Sequence, residues 1–263
     1  MNDIAQNIAT VKSRIDQACA GCGRDPSGVT LLLATKTQPP PAIFEALSHG
    51  PFPIGENRVQ ELVEKAPAFE GLQIERHMIG HLQSNKAGKA LDHVTCVQSI
   101  DRLSIAKRLD RLCAERRRTL DVFLQFNTSG EASKFGMEPA NALAFARDVA
   151  ALPNLRLRGL MTVGLLAPHP VLSRESLTRL RELRDEINNA SIDGVDLQHL
   201  SMGMSTDLEV AVAEGSTMIR IGTDIFGKRQ QPPGTYWPEK QWAHLEAEHE
   251  KHSERHVDPP EQI

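Results

Sequence analysis

A lysine stands where a buried strand should end. In "VTLLLATKTQPPP", residues 29–41, an apolar run stops at Thr35-Lys36-Thr37 and the chain then breaks on prolines. Lysine is almost never fully buried without a partner or a reaction. Burial disfavours its ammonium form, and a neutral amine can attack an aldehyde to give a Schiff base. Two later stretches offer a second half to such a site. "HLSMGMS" carries Ser201, Gly203 and Ser205, and "IRIGTDIFG" carries Arg220, Gly222 and Thr223. Hydroxyl donors and glycine-exposed backbone N–H groups suit a phosphate dianion. Taken singly, Gly203 and Gly222 read as turn residues; taken together at neighbouring exits, they read as a phosphate site.

Arg220 precedes Gly222 by two residues, so both project to one side of a strand. An arginine between isoleucines is poorly explained as solvated. It either pairs with a carboxylate such as Glu56 or meets a ligand ring or anion. An aldehyde carrying a phosphate would engage both halves, and pyridoxal 5'-phosphate is the common one, held by a lysine with a partner for its ring nitrogen. An aldolase-type lysine acting on a sugar phosphate and a salt-bridged structural Lys36 stay open as alternatives.

The elements that must position these residues are short apolar strands alternating with helical stretches. After an opening helix over about 2–20, the spacing predicts strands at 29–35, 52–56, 76–80, 94–99, 121–127, 157–163, 197–202 and 218–223. Clear helical periods lie in "SIDRLSIAKRLDRLCAERR", "EPANALAFARDVAAL" and "LSRESLTRLRELRDEIN", with a shorter one in "STDLEVAVAEG". Eight strand–helix repeats are the pattern of parallel βαβ units. They point to an α/β fold, a TIM (β/α)8 barrel, whose usual length is roughly 250 residues. The barrel is expected over 1–229 as a single domain with an N-terminal helix, followed by a charged extension over 230–263, partly helical or disordered. A doubly wound sheet is the runner-up, weakened by the lack of a G-x-G-x-x-G after the first strand.

In a barrel the chemistry lies at the C-terminal strand ends. Those ends deliver Lys36, Glu56-Asn57, His81, Ser99, Asn127, Met161-Thr162, Ser201 and Gly222-Thr223. Lys134 in "EASKFGM" and Lys86 in "LQSNK" compete with Lys36. Both read better as loop ion pairs or secondary anion contacts.

Bulk properties exclude other classes. The 263 residues carry a net charge of -4, so nucleic-acid binding is not suggested by overall charge. No apolar run approaches the ~18 residues of a membrane span. The polar opening "MNDIAQNIATVKSRIDQA" has no signal-peptide core, and a cytoplasmic location is expected. Cys19 and Cys22 form a C-x-x-C, but on a helical pattern and with no second pair, which argues against a redox or metal role. In the extension, His244, His249, His252 and His256 read as a solvated helix face rather than a metal site.

The stretches "LLATKTQP", "IGENRVQE", "RHMIGHLQSNK", "SIDRL", "EASKFGM", "LRLRGLMTV" and "LSMGMSTDLEVAVAEGSTMIRIGTDIFG" run in order from about 29 to 228. Together they resemble the YggS/PROSC family of pyridoxal phosphate homeostasis proteins. The resemblance implies a barrel like the N-terminal domain of alanine racemase. It implies that Lys36 carries pyridoxal 5'-phosphate as an internal aldimine. It places Ser201, Gly222, Thr223 and Ser205 near the phosphate, Arg220 against the pyridine nitrogen, and Asn57 beside the cofactor. "IGEN" stands where the family often has "FGEN", and "GTDIFG" where it often has "GTAIFG". A cationic Arg220 disfavours protonation of the ring nitrogen and weakens the ring as an electron sink. The second base of alanine racemases is a tyrosine, and the one tyrosine of this chain, Tyr236, falls in the extension. The expectation is a monomeric cofactor-holding protein with no established catalytic activity. It would buffer vitamin B6 or deliver it to apo-enzymes, and so affect amino-acid and keto-acid balance. A low-activity amino-acid racemase is the alternative.

Overall fold

The structure is a computed structural model that describes residues 3–131, 133–164 and 170–227. Expectations about the extension, its histidines and Tyr236 lie outside the described residues. The chain opens with helix α1 (Ile4–Cys22) and strand β1 (Thr30–Ala34), then α2 (Pro40–Leu47), β2 (Ile54–Glu56) and α3 (Val59–Lys65). It continues through β3 (Arg76–Met78), α4 (Ala87–Leu91), β4 (Cys96–Ile100), α5 (Leu103–Glu115), β5 (Leu120–Gln125) and α6 (Ala142–Ala150). Then follow β6 (Leu155–Met161), α7 (Pro170–Asn189), β7 (His199–Ser201), α8 (Leu208–Ala213), β8 (Met218–Ile221) and α9 (Thr223–Phe226). The eight strands pair in chain order into a closed barrel, and β1 meets β8 in parallel with Leu32 opposite Arg220.

Each predicted strand falls on an observed one. The prolines at 39–41, read as a break, also start a helix. Pro39 is the N-cap of α2 and Pro40 opens it, where a missing N–H costs nothing and a fixed φ is already helical. Helix α1 is capped by the Asp3 side chain, which accepts from the Gln6 N–H, and by Gly23 at φ 71°. It buries Ile4, Ile8, Val11, Ile15 and Cys19. The C-x-x-C is the last turn of this helix. Cys19 faces the core, Cys22 is exposed and donates to the Ala18 carbonyl, and both thiols are free.

Alternation along the strands divides the interior in two. Leu31 and Leu33 of β1 point outward and pack with the helices in the main core. Leu32 and Ala34 point inward with Ile79 and Met218, and Cys96, Phe123 and Met161 form another inward group. Between these small apolar groups the barrel interior is polar. His77, Gln98, Gln125, Ser201 and Arg220 are all buried.

Candidate functional site

Lys36 follows β1 by two residues and is half-buried. Its φ is 26°, a left-handed conformation that costs a non-glycine residue on the order of 1 kcal/mol and persists only where neighbours impose it. The neighbour is Lys65, the last residue of α3. Its buried Nζ donates to the carbonyls of Thr35, at 3.4 Å, and of Lys36, and lies 2.7 Å from Glu56 Oε1. Thr35 Oγ1 donates to the same carboxylate oxygen at 2.7 Å. The ends of β1, β2 and α3 are thereby tied into one knot behind the lysine.

Burial and a hydrogen bond that its protonated form donates to Glu61 push the Glu56 carboxyl up to about 8, against the opposing pull of Lys65 and Thr35. The buried Oε2 atoms of both glutamates lack another hydrogen-bond partner among the described residues, which fits a proton kept by this cluster. Between its ordinary value of 4.5 and about 8, the folded Glu56 holds a proton that the unfolded chain has lost. Stability from this group is therefore complete on the acid side and falls as pH rises through about 8. Urea midpoints are expected to drop between about pH 6 and pH 9, and Glu56→Gln should flatten that slope.

Asn57 follows β2, half-buried, and its Oδ1 is buried with no hydrogen-bond partner among the described residues. Gly80, after β3, passes so close that a Cβ there would sit 2.2 Å from the Asn57 carbonyl oxygen. Gly80→Ala is expected to lower stability by roughly 1–3 kcal/mol through overpacking and to displace the Asn57 loop. A thermal melt beside the wild type reads the first effect.

On β8, Arg220 is buried inside the barrel. Its Nη1 donates to Ser201 Oγ at 2.8 Å and its Nη2 to the Thr162 carbonyl at 2.7 Å. Burial lowers its pKa to about 10, opposed by the charge of Asp207, so it stays cationic at neutral pH. Of the two sequence readings, pairing with Glu56 is not realised among the described residues, because that carboxylate belongs to Lys65. Ser201 is fully buried; its hydroxyl accepts from Arg220 and donates to Gln98 Oε1 at 2.6 Å. The Ser201 side chain thus works inside the barrel, while Ser205, Gly222 and Thr223 stand beyond the strand ends, Thr223 as the first residue of α9. Gly222 lets β8 pass β1, since a Cβ would lie 2.9 Å from the Ala34 carbonyl oxygen. Gly203 has φ +95°, and a Cβ there would meet Ala211 at 2.4 Å. Arg14 of α1 braces both loops, donating to the Ser205 carbonyl at 2.9 Å and to Asp224 at 2.7 Å. The unusual aspartate of "GTDIFG" is thereby paired rather than bare beside Thr223.

Lys36, Asn57, Ser201, Ser205, Arg220, Gly222 and Thr223 therefore stand on one arc of four neighbouring strands, β7, β8, β1 and β2. The competing lysine does not share that arc. Lys134 is half-buried in the loop after β5, paired with Glu131 and donating to the Gly164 carbonyl at 2.9 Å. Asn127 shapes the same loop by donating to the Glu131 carbonyl at 2.9 Å. His81 pairs with Asp101 at 2.8 Å and stacks on Phe135. Three residues escaped the sequence reading: Lys65, Gln98 and His77. The signal for the latter two was a polar residue at an inward position of an apolar strand.

A family model described as alanine racemase, N-terminal domain, matches residues 41–230. The chain is 45% identical over 233 residues to the pyridoxal phosphate homeostasis protein of Pseudomonas aeruginosa, covering 87% of this chain and 97% of that one. It is 43% identical to the protein of that name from Escherichia coli, covering 87% and 98%. Among solved structures it resembles PipY of Synechococcus elongatus with pyridoxal phosphate bound, at 34% identity and TM-score 0.76, covering 86% of this chain and all of PipY. An alanine racemase from Clostridium difficile shares the fold at TM-score 0.66 and 12% identity, and the match spans 59% of its length. The barrel and the family match define the alanine racemase N-terminal-domain class, and the chain belongs to the YggS/PROSC family of pyridoxal phosphate homeostasis proteins.

Proposed function

We propose that this protein binds pyridoxal 5'-phosphate through a covalent link to Lys36 and serves vitamin B6 homeostasis by buffering or handing on the cofactor. The reading rests above all on the convergence of a strand-end lysine, a buried arginine and two glycine-bearing loops on one arc of the barrel. The donor set suits the group. Asn57 Oδ1 is a buried acceptor lacking a partner among the described residues, and Arg220 is a fixed cation inside the mouth. Ser205, Gly222 and Thr223 would hold the phosphate, Asn57 would lie beside the ring, and Arg220 would face the ring nitrogen, oriented by Ser201. When bound, the cofactor supplies an aldehyde that an amine captures reversibly.

The chain's own residues suit holding more than turnover. Arg220 stays charged and disfavours a proton on the ring nitrogen. Lys65 and Glu56 fix the Lys36 backbone, and Arg14 braces the phosphate loops. The proposal extends to a cytoplasmic monomer that passes the cofactor to apo-enzymes, with the barrel over 1–229 as the binding unit and 230–263 as a charged extension. No helix among the described residues is long and apolar enough to cross a membrane. The test is an absorbance spectrum of the protein with added pyridoxal phosphate, followed by desalting. A retained yellow band that borohydride fixes is expected. A protein that stays colourless would overturn the reading, and α-deuterium exchange into amino acids would replace the carrier with a racemase.

A further inference from the structure

Four of the five buried polar side chains named above, with Glu75 at the rim, form one directed chain; Gln125 stands apart, donating to the Phe135 carbonyl at 2.9 Å. Arg220 Nη1 donates to Ser201 Oγ at 2.8 Å, and Ser201 donates to Gln98 Oε1 at 2.6 Å. Gln98 Nε2 lies 2.7 Å from His77 Nδ1, and His77 Nε2 lies 3.5 Å from Glu75 Oε2. The first four residues are buried, whereas the Glu75 side chain is 73% exposed. It lines a cavity of about 960 Å³ at the opposite mouth, with Asp121, Arg158 and His199.

Chemistry fixes the direction of every proton. A guanidinium only donates, so the Ser201 oxygen must accept from it and send its own proton to Gln98. The amide then presents its NH2 to His77. Nδ1 must accept, and the imidazole proton sits on Nε2, facing Glu75. Were the Gln98 amide reversed, Ser201 would face two donors and its proton would lose its acceptor.

We propose that Gln98 is a positioning residue for Arg220: its carbonyl end holds the Ser201 hydroxyl in the orientation that seats the guanidinium, and His77 holds the amide the right way round. The consequence for the cofactor rests on the reading that Arg220 faces the pyridoxal ring. The geometry of the chain does not.

The test uses the full chain with two variants. Nitrogen-15 NMR of the cofactor-free wild type is expected to show His77 protonated on Nε2 with a bare Nδ1. Gln98→Glu keeps an acceptor for Ser201 but offers His77 no donor, so the imidazole proton should move to Nδ1. Its affinity for pyridoxal phosphate should stay within about threefold of the wild type, because the Ser201 hydrogen bond survives. Gln98→Leu removes that acceptor, so affinity should fall about tenfold, the scale of one buried hydrogen bond, with a shifted visible band. Exchange of the Arg220 guanidinium protons should quicken in the Leu variant only. A wild-type His77 protonated on Nδ1, or a folded Leu variant with wild-type affinity and slow Arg220 exchange, would overturn the proposal. Should Gln98→Leu fail to fold, the His77 proton shift in Gln98→Glu decides. If the wild type takes up no pyridoxal phosphate, the cofactor reading fails, while the His77 and Arg220 signals still decide the role of Gln98.

Discussion

Lys36→Ala is expected to bind pyridoxal phosphate without colour that borohydride can fix, and on the order of a hundredfold more weakly, equivalent to about 2.8 kcal/mol. The proposed phosphate site would survive the change, since Ser205, Gly222 and Thr223 follow other strands, β7 and β8, in segments braced by Arg14. Binding should therefore weaken rather than vanish. The fold should also survive. Alanine at φ 26° carries the same backbone strain as the lysine, whereas Lys36→Gly would relieve it. The pair of variants separates the amine from the backbone. Both should lose the covalent link, and only glycine should gain from strain relief. Fixed colour in Lys36→Ala, or its loss in Lys134→Ala instead, would move the attachment to the other lysine.

The second large effect is expected from Lys65→Met. Breaking a buried pair by removing one partner typically costs about 3–5 kcal/mol, and here two backbone carbonyls lose a donor as well. The cost should depend on pH. Lys65 holds the Glu56 carboxyl down towards about 8, so without it the stranded side chain keeps its proton to higher pH. Below that value both proteins hold the proton and the loss is smaller; above it the wild type ionises against Lys65, whereas the variant must keep the proton or bare a carboxylate, and the loss is larger. Adding Glu56→Gln should recover part of the loss at high pH, so that the two substitutions do not add, as expected for groups in contact. Urea melts of the four proteins at pH 6.5 and 9, on the order of a unit or more either side of that value, measure both the cost and the coupling. A pH-independent loss would mean that Glu56 does not titrate between those two pH values.

The barrel was legible because its signal is local. Each strand is a short apolar run between breakers, and each exit is polar, so Lys36 and Gly222 could be placed at strand ends by counting. Helices α2, α3 and α4 were harder, being only five to eight residues long, which gives too few turns for a period to emerge. The prolines at the N-cap and first turn of α2 masked its start. Lys65 was invisible for another reason. Nothing in "VQELVEK" says that its last residue turns inward to grip the backbone of a residue 29 positions earlier. Gln98 and His77 lie at inward strand positions, yet their partnership needs strands β3 and β4 side by side and Ser201 facing them across the barrel.

On the proposed function, the grip of Lys65 on the Lys36 carbonyl has a meaning for cargo that comes and goes. Its contacts are made within the chain itself, so the proposed attachment point is shaped when the protein folds rather than when a ligand arrives. The entropy of ordering that segment is then already spent, and a visiting group need not supply it. A berth that keeps its shape between cargoes can load and unload through the chemistry of one amine, with no segment to refold at either step.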